Sequence, residues 1–167
     1  MSEGKRVDAL FEGPIDIIGD VHGEVDALRL LLERLGYDAT GAHPDGRRVV
    51  FVGDLVDRGP DSVAVCDLVR RWRDGGRAQC VLGNHEFNLL KGSKRHGNEW
   101  FFGDSAPFDS RPATQKDRDR LRSFFAQLPL ALERADLRVV HACWDAASVH
   151  VARGLNGNLL HFDRARR

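Results

Sequence analysis

Three short stretches of similar sequence constrain the fold of this chain more than any other feature. They are residues 19–23 (GDVHG), 53–59 (GDLVDRG) and 83–86 (GNHE), and each follows an apolar run. They recur at intervals of roughly 30 residues, which is the length that a strand–helix–strand unit needs. Because open α/β sheets place their ligands at the carboxyl ends of parallel strands, we predict three parallel strands that bring these stretches to one edge.

The polar side chains collected at that edge are of types that bind metals and phosphate. They are Asp20, His22, Asp54, Asp57, Arg58, Asn84 and His85. Carboxylate, imidazole and amide oxygen are the donors of a mixed nitrogen and oxygen metal site. A carboxylate such as Asp54 can bridge two cations. Two cations about 3.5–4 Å apart can hold a hydroxide for in-line attack on phosphorus.

These motifs, followed by Val-His-Ala at 140–142, resemble the metallophosphoesterase superfamily. Within it they are similar to the calcineurin-like branch, which holds serine/threonine protein phosphatases and bacterial diadenosine tetraphosphatases. The resemblance runs from about Pro14 to Asp145. It implies an α/β fold of the αββα sandwich type and a hydrolase of phosphoesters or phosphoanhydrides that uses a metal-bridging hydroxide. It also implies two divalent cations, with Mn²⁺ preferred and Fe, Zn, Ni, Co or Mg as alternatives.

The resemblance also implies a set of metal ligands. Asp20 and His22 would bind the first cation, Asp54 would bind both, and Asn84 and His141 would bind the second. Each assignment has a structural alternative. Asp20 and Asp54 precede helical patterns and could be N-caps, and His141 could be a core histidine at the end of a strand.

Three further residues would take part in catalysis. The resemblance makes His85 a general acid that protonates the leaving oxygen, with Asp57 orienting it and Arg58 binding phosphate oxygens. A histidine beside a carboxylate is favoured in its charged form, so it carries a proton to donate near neutral pH. The alternative for Asp57 and Arg58 is a local salt bridge. Glu86 is expected to support the ligands or to be a helix-start charge.

The remaining sequence divides into a domain and two ends. Residues 1–13 form a polar tail with a small apolar patch that could add an edge strand, 14–150 form the domain, and 151–167 form a C-terminal tail. Residues 92–113 follow no dominant period. They are either an irregular insertion packed on the helices or a lid that helps choose the substrate. A hairpin over 130–143 is expected to begin a second sheet.

The chain departs from the family pattern after His141. Full-length members add a further arginine and a late Gly-His motif that supplies another imidazole to the second metal, and neither is matched here. We therefore expect a more weakly held second metal and an incomplete second sheet with unpaired edge groups. The chain could be a natural short form, a truncated reading frame or a fragment. Arg153 is a further candidate for a phosphate contact.

Composition narrows the expected partners and compartment. The 25 basic and 25 acidic residues balance to zero, which gives no electrostatic footprint for nucleic acid or a membrane surface. No apolar run is long enough to span a bilayer. Cys66, Cys80 and Cys143 include no Cys-x-x-Cys pair and indicate buried free thiols in a reducing cytoplasm. The expected partner is a phosphorylated small molecule, a nucleotide or a phosphoprotein.

Several functions are compatible with these observations. The leading hypothesis is a diadenosine-tetraphosphatase-like enzyme, which the compact start at 18–24 (IGDVHGE) and the small size favour. A serine/threonine protein phosphatase is the close alternative. A hypothesis of another class is an inactive, truncated metal-binding remnant. A nucleotide-binding Rossmann domain is disfavoured, because no G-x-G-x-x-G follows any predicted strand.

Overall fold

A computed structural model of the chain describes residues 5–104 and 109–154. The strands are Val7–Ala9 (β1), Ile15–Ile18 (β2), Arg48–Phe51 (β3), Ala78–Cys80 (β4), Ala131–Glu133 (β5) and Arg138–Val140 (β6). The helices are Val25–Arg34 (α1), Ser62–Asp74 (α2), Asn84–Leu90 (α3), Glu99–Phe102 (α4), Gln115–Ala126 (α5) and Ala146–Gly154 (α6). None of the helices within these two ranges has the length and apolar character needed to cross a membrane.

The first sheet contains the three strands that precede the glycine motifs. Its order is β2-β3-β4, and both pairings are parallel, as the sequence predicts. The central strand β3 is an apolar run with Val49, Val50 and Phe51 fully buried, which is typical of a strand covered on both faces. The outer strand β2 is less protected, and Ile17 is 48% exposed. All three carboxyl ends therefore lie at one edge of the sheet.

The second sheet is mixed and small. β5 and β6 form the predicted antiparallel hairpin. β1 pairs with β5 in parallel, with Val7 opposite Ala131 and Ala9 opposite Glu133. The apolar patch of the N-terminal segment thus forms an edge strand of this sheet.

The two sheets face each other across an apolar layer. Leu10, Val50, Val81, Leu132 and Val139 form this layer. A larger cluster lies on the other face of the parallel sheet, where Leu28 of α1, Val69 of α2 and Phe125 of α5 are among the buried residues. α6 lies beside β1, and Arg153 of α6 forms an ion pair with Glu133 of β5. This is the sandwich arrangement that the resemblance implies, with mixed α/β layers and short sheets.

The cysteines only partly match the expectation. Cys66 and Cys80 are buried free thiols, and burial raises the pKa of each well above its ordinary value. Cys143 is exposed, so the expectation that all three thiols are buried is wrong. The reason is local, because Cys143 lies in the turn that leaves β6 rather than in the strand itself.

Candidate metal centre

The loops that follow β2 and β3 are joined by backbone hydrogen bonds. Val21 N donates to Asp54 O at 3.0 Å, and Gly59 N donates to His22 O at 2.8 Å. These bonds lie beyond the last paired residues of the strands, so they continue the parallel sheet into its loops. The side chains of Asp20, His22 and Asp54 are therefore held relative to one another by main-chain contacts.

The loops after β3 and β4 approach too closely for a side chain at either contact point. A Cβ on Gly53 would lie 2.5 Å from Gly83 N, and the φ of Gly53 is +92°. Glycine is required there for both reasons, since other residues rarely adopt this φ and any Cβ would overlap the neighbouring loop. The close approach brings Asp54 next to Asn84 and His85.

Two groups of potential metal ligands share Asp54. One contains His22, Asp54 and His85, the other contains Asp20, Asp54 and His141, and in each group the ligand atoms lie within 4.8 Å of one another. His141 Nε2 is 3.5 Å from Asp54 Oδ2 and 2.9 Å from Asn84 Oδ1. The structure therefore brings together all five residues named as metal ligands. Their division between two cations remains a prediction.

The two predicted histidine ligands are oriented by main-chain carbonyls. His22 Nδ1 is 2.9 Å from Val56 O, and His141 Nδ1 is 2.8 Å from Val52 O. An imidazole that donates its Nδ1 hydrogen to a carbonyl has its Nε2 lone pair free to bind a metal. In both residues it is Nε2 that faces the carboxylates, at 3.7 Å from Asp20 for His22. The alternative of a core histidine does not fit this orientation of His141.

His85 and Asp57 form a buried pair next to the ligand groups. His85 Nδ1 is 2.6 Å from Asp57 Oδ2, and Asp57 is 1% exposed. Burial raises the pKa of the Asp57 carboxyl, while the hydrogen bonds from His85 and Trp100 act in the opposite direction. Asp57 is bonded to His85 rather than to the guanidinium beside it in sequence. Among the residues that the structure describes, Asp57 pairs with His85 and Trp100, and the salt bridge to Arg58 that was considered from the sequence is not formed.

Trp100 is a site residue that the sequence did not indicate. Its Nε1 donates to Asp57 Oδ1 at 2.8 Å, and the side chain is almost fully buried. Trp100 lies in the irregular segment 92–113, where no sequence period relates it to Asp57. A tryptophan among other aromatic residues gives no signal that distinguishes such a hydrogen bond from core packing.

Glu86 supports the loop that carries Asp54. It is fully buried, and its carboxylate accepts hydrogen bonds from the backbone N–H of Asp54 at 2.9 Å, Leu55 at 2.7 Å and Gly83 at 3.0 Å. Burial, followed by the charge of Asp54, raises the pKa of Glu86 to about 7. Its contacts are those of a supporting residue, and it faces the backbone rather than the ligand groups.

Four residues of the site have left-handed backbone conformations. The φ values are +47° for His22, +50° for Asp54, +74° for Asp57 and +70° for Arg58. Such conformations cost free energy in residues other than glycine and occur mainly where function requires them. Arg58 is exposed, and its backbone N donates to Gly97 O at 3.3 Å. Arg153 is instead held by Glu133 on the mixed sheet.

A match to a family model over most of the sequence decides the family of this chain. Residues 13–161 match the model described as calcineurin-like phosphoesterase. The chain belongs to the calcineurin-like phosphoesterase family. Members use a dinuclear site of divalent metals, and this chain presents candidate ligand groups for such a site. The fold and the family that the motifs imply are thereby confirmed.

Relatives of this chain include bis(5'-nucleosyl)-tetraphosphatases. The chain is 36% identical to an asymmetrical bis(5'-nucleosyl)-tetraphosphatase PrpE of Bacillus velezensis, over 76% of this chain and 55% of the relative. It is 34% identical to a symmetrical bis(5'-nucleosyl)-tetraphosphatase of Methylococcus capsulatus, over 82% of this chain and 47% of the relative. The chain thus spans about half the length of the curated relatives it matches.

Solved structures support the same fold. A crystal structure provisionally identified as a diadenosine tetraphosphatase has a TM-score of 0.51 and 31% identity, and the match covers 77% of this chain and 49% of the other. A serine/threonine phosphatase from Saccharomyces cerevisiae has a TM-score of 0.54 and 22% identity, with 78% and 38% covered. The second similarity extends to the fold alone.

Proposed function

We propose that the chain hydrolyses phosphoester or phosphoanhydride bonds with two divalent cations, and that its substrates are dinucleoside tetraphosphates. The observation that carries the proposal is that Asp54 belongs to both groups of ligand atoms. A carboxylate shared in this way is the element that a two-cation site requires. The names of the relatives favour the nucleotide substrate, whereas the alternative of a phosphoprotein rests on similarity of fold.

The donor set fits hard or intermediate divalent cations. It consists of carboxylate, amide and imidazole groups, with both histidines oriented by carbonyls. Asp20, His22 and Asp54 would hold one cation, and Asp54, Asn84 and His141 the other. This mixture of oxygen and nitrogen ligands suits Mn²⁺, with Fe, Zn, Ni, Co or Mg as alternatives. When bound, the cations neutralise phosphate charge and activate water.

The protein's own residues would handle the leaving group and the phosphate. His85 would donate a proton to the departing oxygen from Nε2, because its Nδ1 is engaged by Asp57. General acids of this kind contribute roughly 10²–10⁴-fold to a rate. Arg58 is exposed beside Asp57, and its planar guanidinium would bind two phosphate oxygens.

The test compares substrates, metal content and one variant. The purified chain is titrated with Mn²⁺ and assayed with diadenosine tetraphosphate and with a phosphoserine peptide. We expect two equivalents of bound Mn²⁺ and faster hydrolysis of the dinucleotide. Asp54→Asn should abolish turnover while the protein stays folded. The matched control is Asp8→Asn on the exposed strand β1, which should behave as wild type.

Three results would contradict the proposal in different ways. Faster cleavage of the phosphopeptide would move the assignment to a protein phosphatase. One equivalent of Mn²⁺ with no turnover would indicate the inactive remnant. Full turnover by Asp54→Asn would exclude the shared carboxylate from the reaction.

A further inference from the structure

We propose that Trp100 is a positioning residue that fixes the Asp57 carboxylate and thereby aims His85 at the leaving oxygen. This inference rests on the proposed function. The two oxygens of Asp57 have separate partners, since Oδ1 accepts from Trp100 Nε1 at 2.8 Å and Oδ2 is 2.6 Å from His85 Nδ1. One carboxylate therefore connects an indole in the irregular segment to the proposed general acid.

Burial explains why the indole matters for orientation. Asp57 is 1% exposed and Trp100 is 2% exposed, so water cannot replace either partner. A buried carboxylate oxygen without a hydrogen bond is costly. If the Nε1 donor were removed, rotation of the carboxylate toward another donor would lower the free energy of its unpaired oxygen. Its second oxygen would then leave the position that holds the His85 ring.

The main chain around Trp100 is anchored on both sides. Ala113 N donates to Trp100 O at 2.8 Å. Two residues earlier, the buried Asn98 side chain donates to Ser93 O at 3.1 Å and accepts from Arg95 N at 2.9 Å. These bonds close the segment on itself, so the short helix α4 presents Trp100 from a fixed backbone.

The same segment also holds the loop that carries Asp57 and Arg58. Arg58 N donates to Gly97 O at 3.3 Å, and Ser110 Oγ donates to Gly59 O at 2.8 Å. Gly97 and Ser110 therefore hold the two residues that directly follow Asp57. The described residues of this segment thus hold the loop next to the His85–Asp57 pair in place.

A direct contact with a substrate base is a different role, and the geometry of Trp100 does not suit it. The ring is buried, and it packs against Phe101 in a T-shaped arrangement with the ring centroids 5.4 Å apart. Its polar atom is already bonded to Asp57. An aromatic residue that stacks on a nucleotide needs an exposed face, which Trp100 lacks.

The experiment removes the indole N–H and asks whether the loss depends on the leaving group. Trp100→Phe is assayed with p-nitrophenyl phosphate, which has a good leaving group, and with phenyl phosphate, which has a poor one. Because a general acid matters most for the poor leaving group, we expect kcat for phenyl phosphate to fall about tenfold more than for p-nitrophenyl phosphate. KM and bound Mn²⁺ should not change.

The matched control is Phe101→Leu. Phe101 is also fully buried in α4 but has no bond to Asp57. This variant should lose stability while keeping the wild-type ratio of the two kcat values. An equal change of that ratio in both variants would mean that Trp100 acts only through packing, and the inference would be overturned.

A double-variant comparison tests the route through Asp57. If Trp100 acts through the carboxylate, adding Trp100→Phe to Asp57→Asn should leave the leaving-group ratio unchanged. A further tenfold change would overturn the inference. Should Trp100→Phe fail to fold, 3-benzothienylalanine at position 100 removes only the N–H and gives the same comparison. Absence of turnover in the wild-type chain would overturn the proposed function and this inference together, whereas normal wild-type turnover with equal losses overturns this inference alone.

Discussion

The parallel sheet and the mixed sheet contribute unequally to the metal centre. Loops after β2, β3 and β4 carry Asp20, His22, Asp54 and Asn84, whereas the mixed sheet contributes His141. The parallel-sheet loops are joined by their own backbone bonds. The side chain of His141, by contrast, is oriented by a bond to the carbonyl of Val52, the residue that directly follows β3.

This difference indicates a hierarchy in how the centre is assembled. In the proposed assignment, the loops of the parallel sheet supply three ligands for one cation, and main-chain contacts hold these loops together. The mixed sheet would add His141 to the second cation. Substitutions that disrupt the loops of the parallel sheet should therefore remove all function. Substitutions in the mixed sheet should remove only one cation.

The largest effect is expected from Gly53→Ala. The added methyl would lie 2.5 Å from Gly83 N, on a backbone with φ +92°. We expect a loss of about 3 kcal/mol or more in the free energy of unfolding and no turnover. The control is Gly46→Ala, which has φ +68° and nothing within 4 Å, and should cost only about 1 kcal/mol. Equal losses in urea unfolding would contradict the role of the close approach.

Next in size is the effect of His141→Ala on function. Bound Mn²⁺ should fall from two equivalents to one, and turnover should fall by at least about 100-fold. In metal-free protein the unfolding midpoint should change little, since His141 belongs to neither of the described apolar core clusters. Loss of both cations, detected by metal titration, would show that the parallel sheet cannot hold one cation by itself.

A smaller effect is expected at the amino end of the parallel sheet. Asp16 accepts hydrogen bonds from Tyr37 at 2.7 Å and from Arg47 Nε at 2.8 Å, and the bond from Arg47 is the main cause that lowers the pKa of Asp16. Asp16→Asn should cost about 1–3 kcal/mol at pH 7 and leave metal binding intact.

The sign of the pH dependence follows from the lowered pKa. The stabilisation from Asp16 is fully present above the ordinary carboxyl pKa of about 4 and is lost as the pH falls through the folded-state value. The difference between wild type and Asp16→Asn in urea unfolding should therefore shrink below about pH 4. A difference that widens toward acid would refute this account.

The smallest effect is expected from Arg153→Ala on the mixed sheet. The ion pair of Arg153 with Glu133 is short, at 2.6 Å, but its side chains are 47% and 29% exposed. Exposed pairs contribute roughly 0–1 kcal/mol, so thermal unfolding should barely change. A loss of more than about 2 kcal/mol would mean that α6 supports the mixed sheet far more than its contacts indicate.

The part of the fold that the sequence predicts is the part built from local periodicity. The 3–4 residue spacing of apolar side chains over 24–35 predicts a helix, which is observed as Val25–Arg34 with Glu24 and Leu35 as its caps. The apolar pattern over 77–82 predicts a strand, which is observed as Ala78–Cys80. Asp117, three residues after Thr114, predicts a capping box, and Thr114 N donates to the Asp117 carboxylate at 3.1 Å.

Contacts between distant segments could not be predicted in the same way. The parallel pairing of β1 with β5 joins residues more than 120 apart, and three-residue strands carry almost no pattern. Trp100 reaches Asp57 from a segment without a period. The grouping of the candidate ligands could be predicted because the ends of parallel strands share one edge of the sheet. Supporting residues such as Trp100 could not, because they lie in irregular backbone without a sequence period.

The left-handed backbone at Asp57 and Arg58 has a consequence for how this sequence could change under selection. At the exposed Arg58, glycine would relieve that conformation at no steric cost, so a library of variants sorted only for heat resistance should drift toward glycine there. At Asp57 the same change would leave the buried Trp100 Nε1 without its acceptor, so aspartate should persist. Sorting the library for turnover should restore arginine at position 58, so the two selections would favour different residues at that position alone.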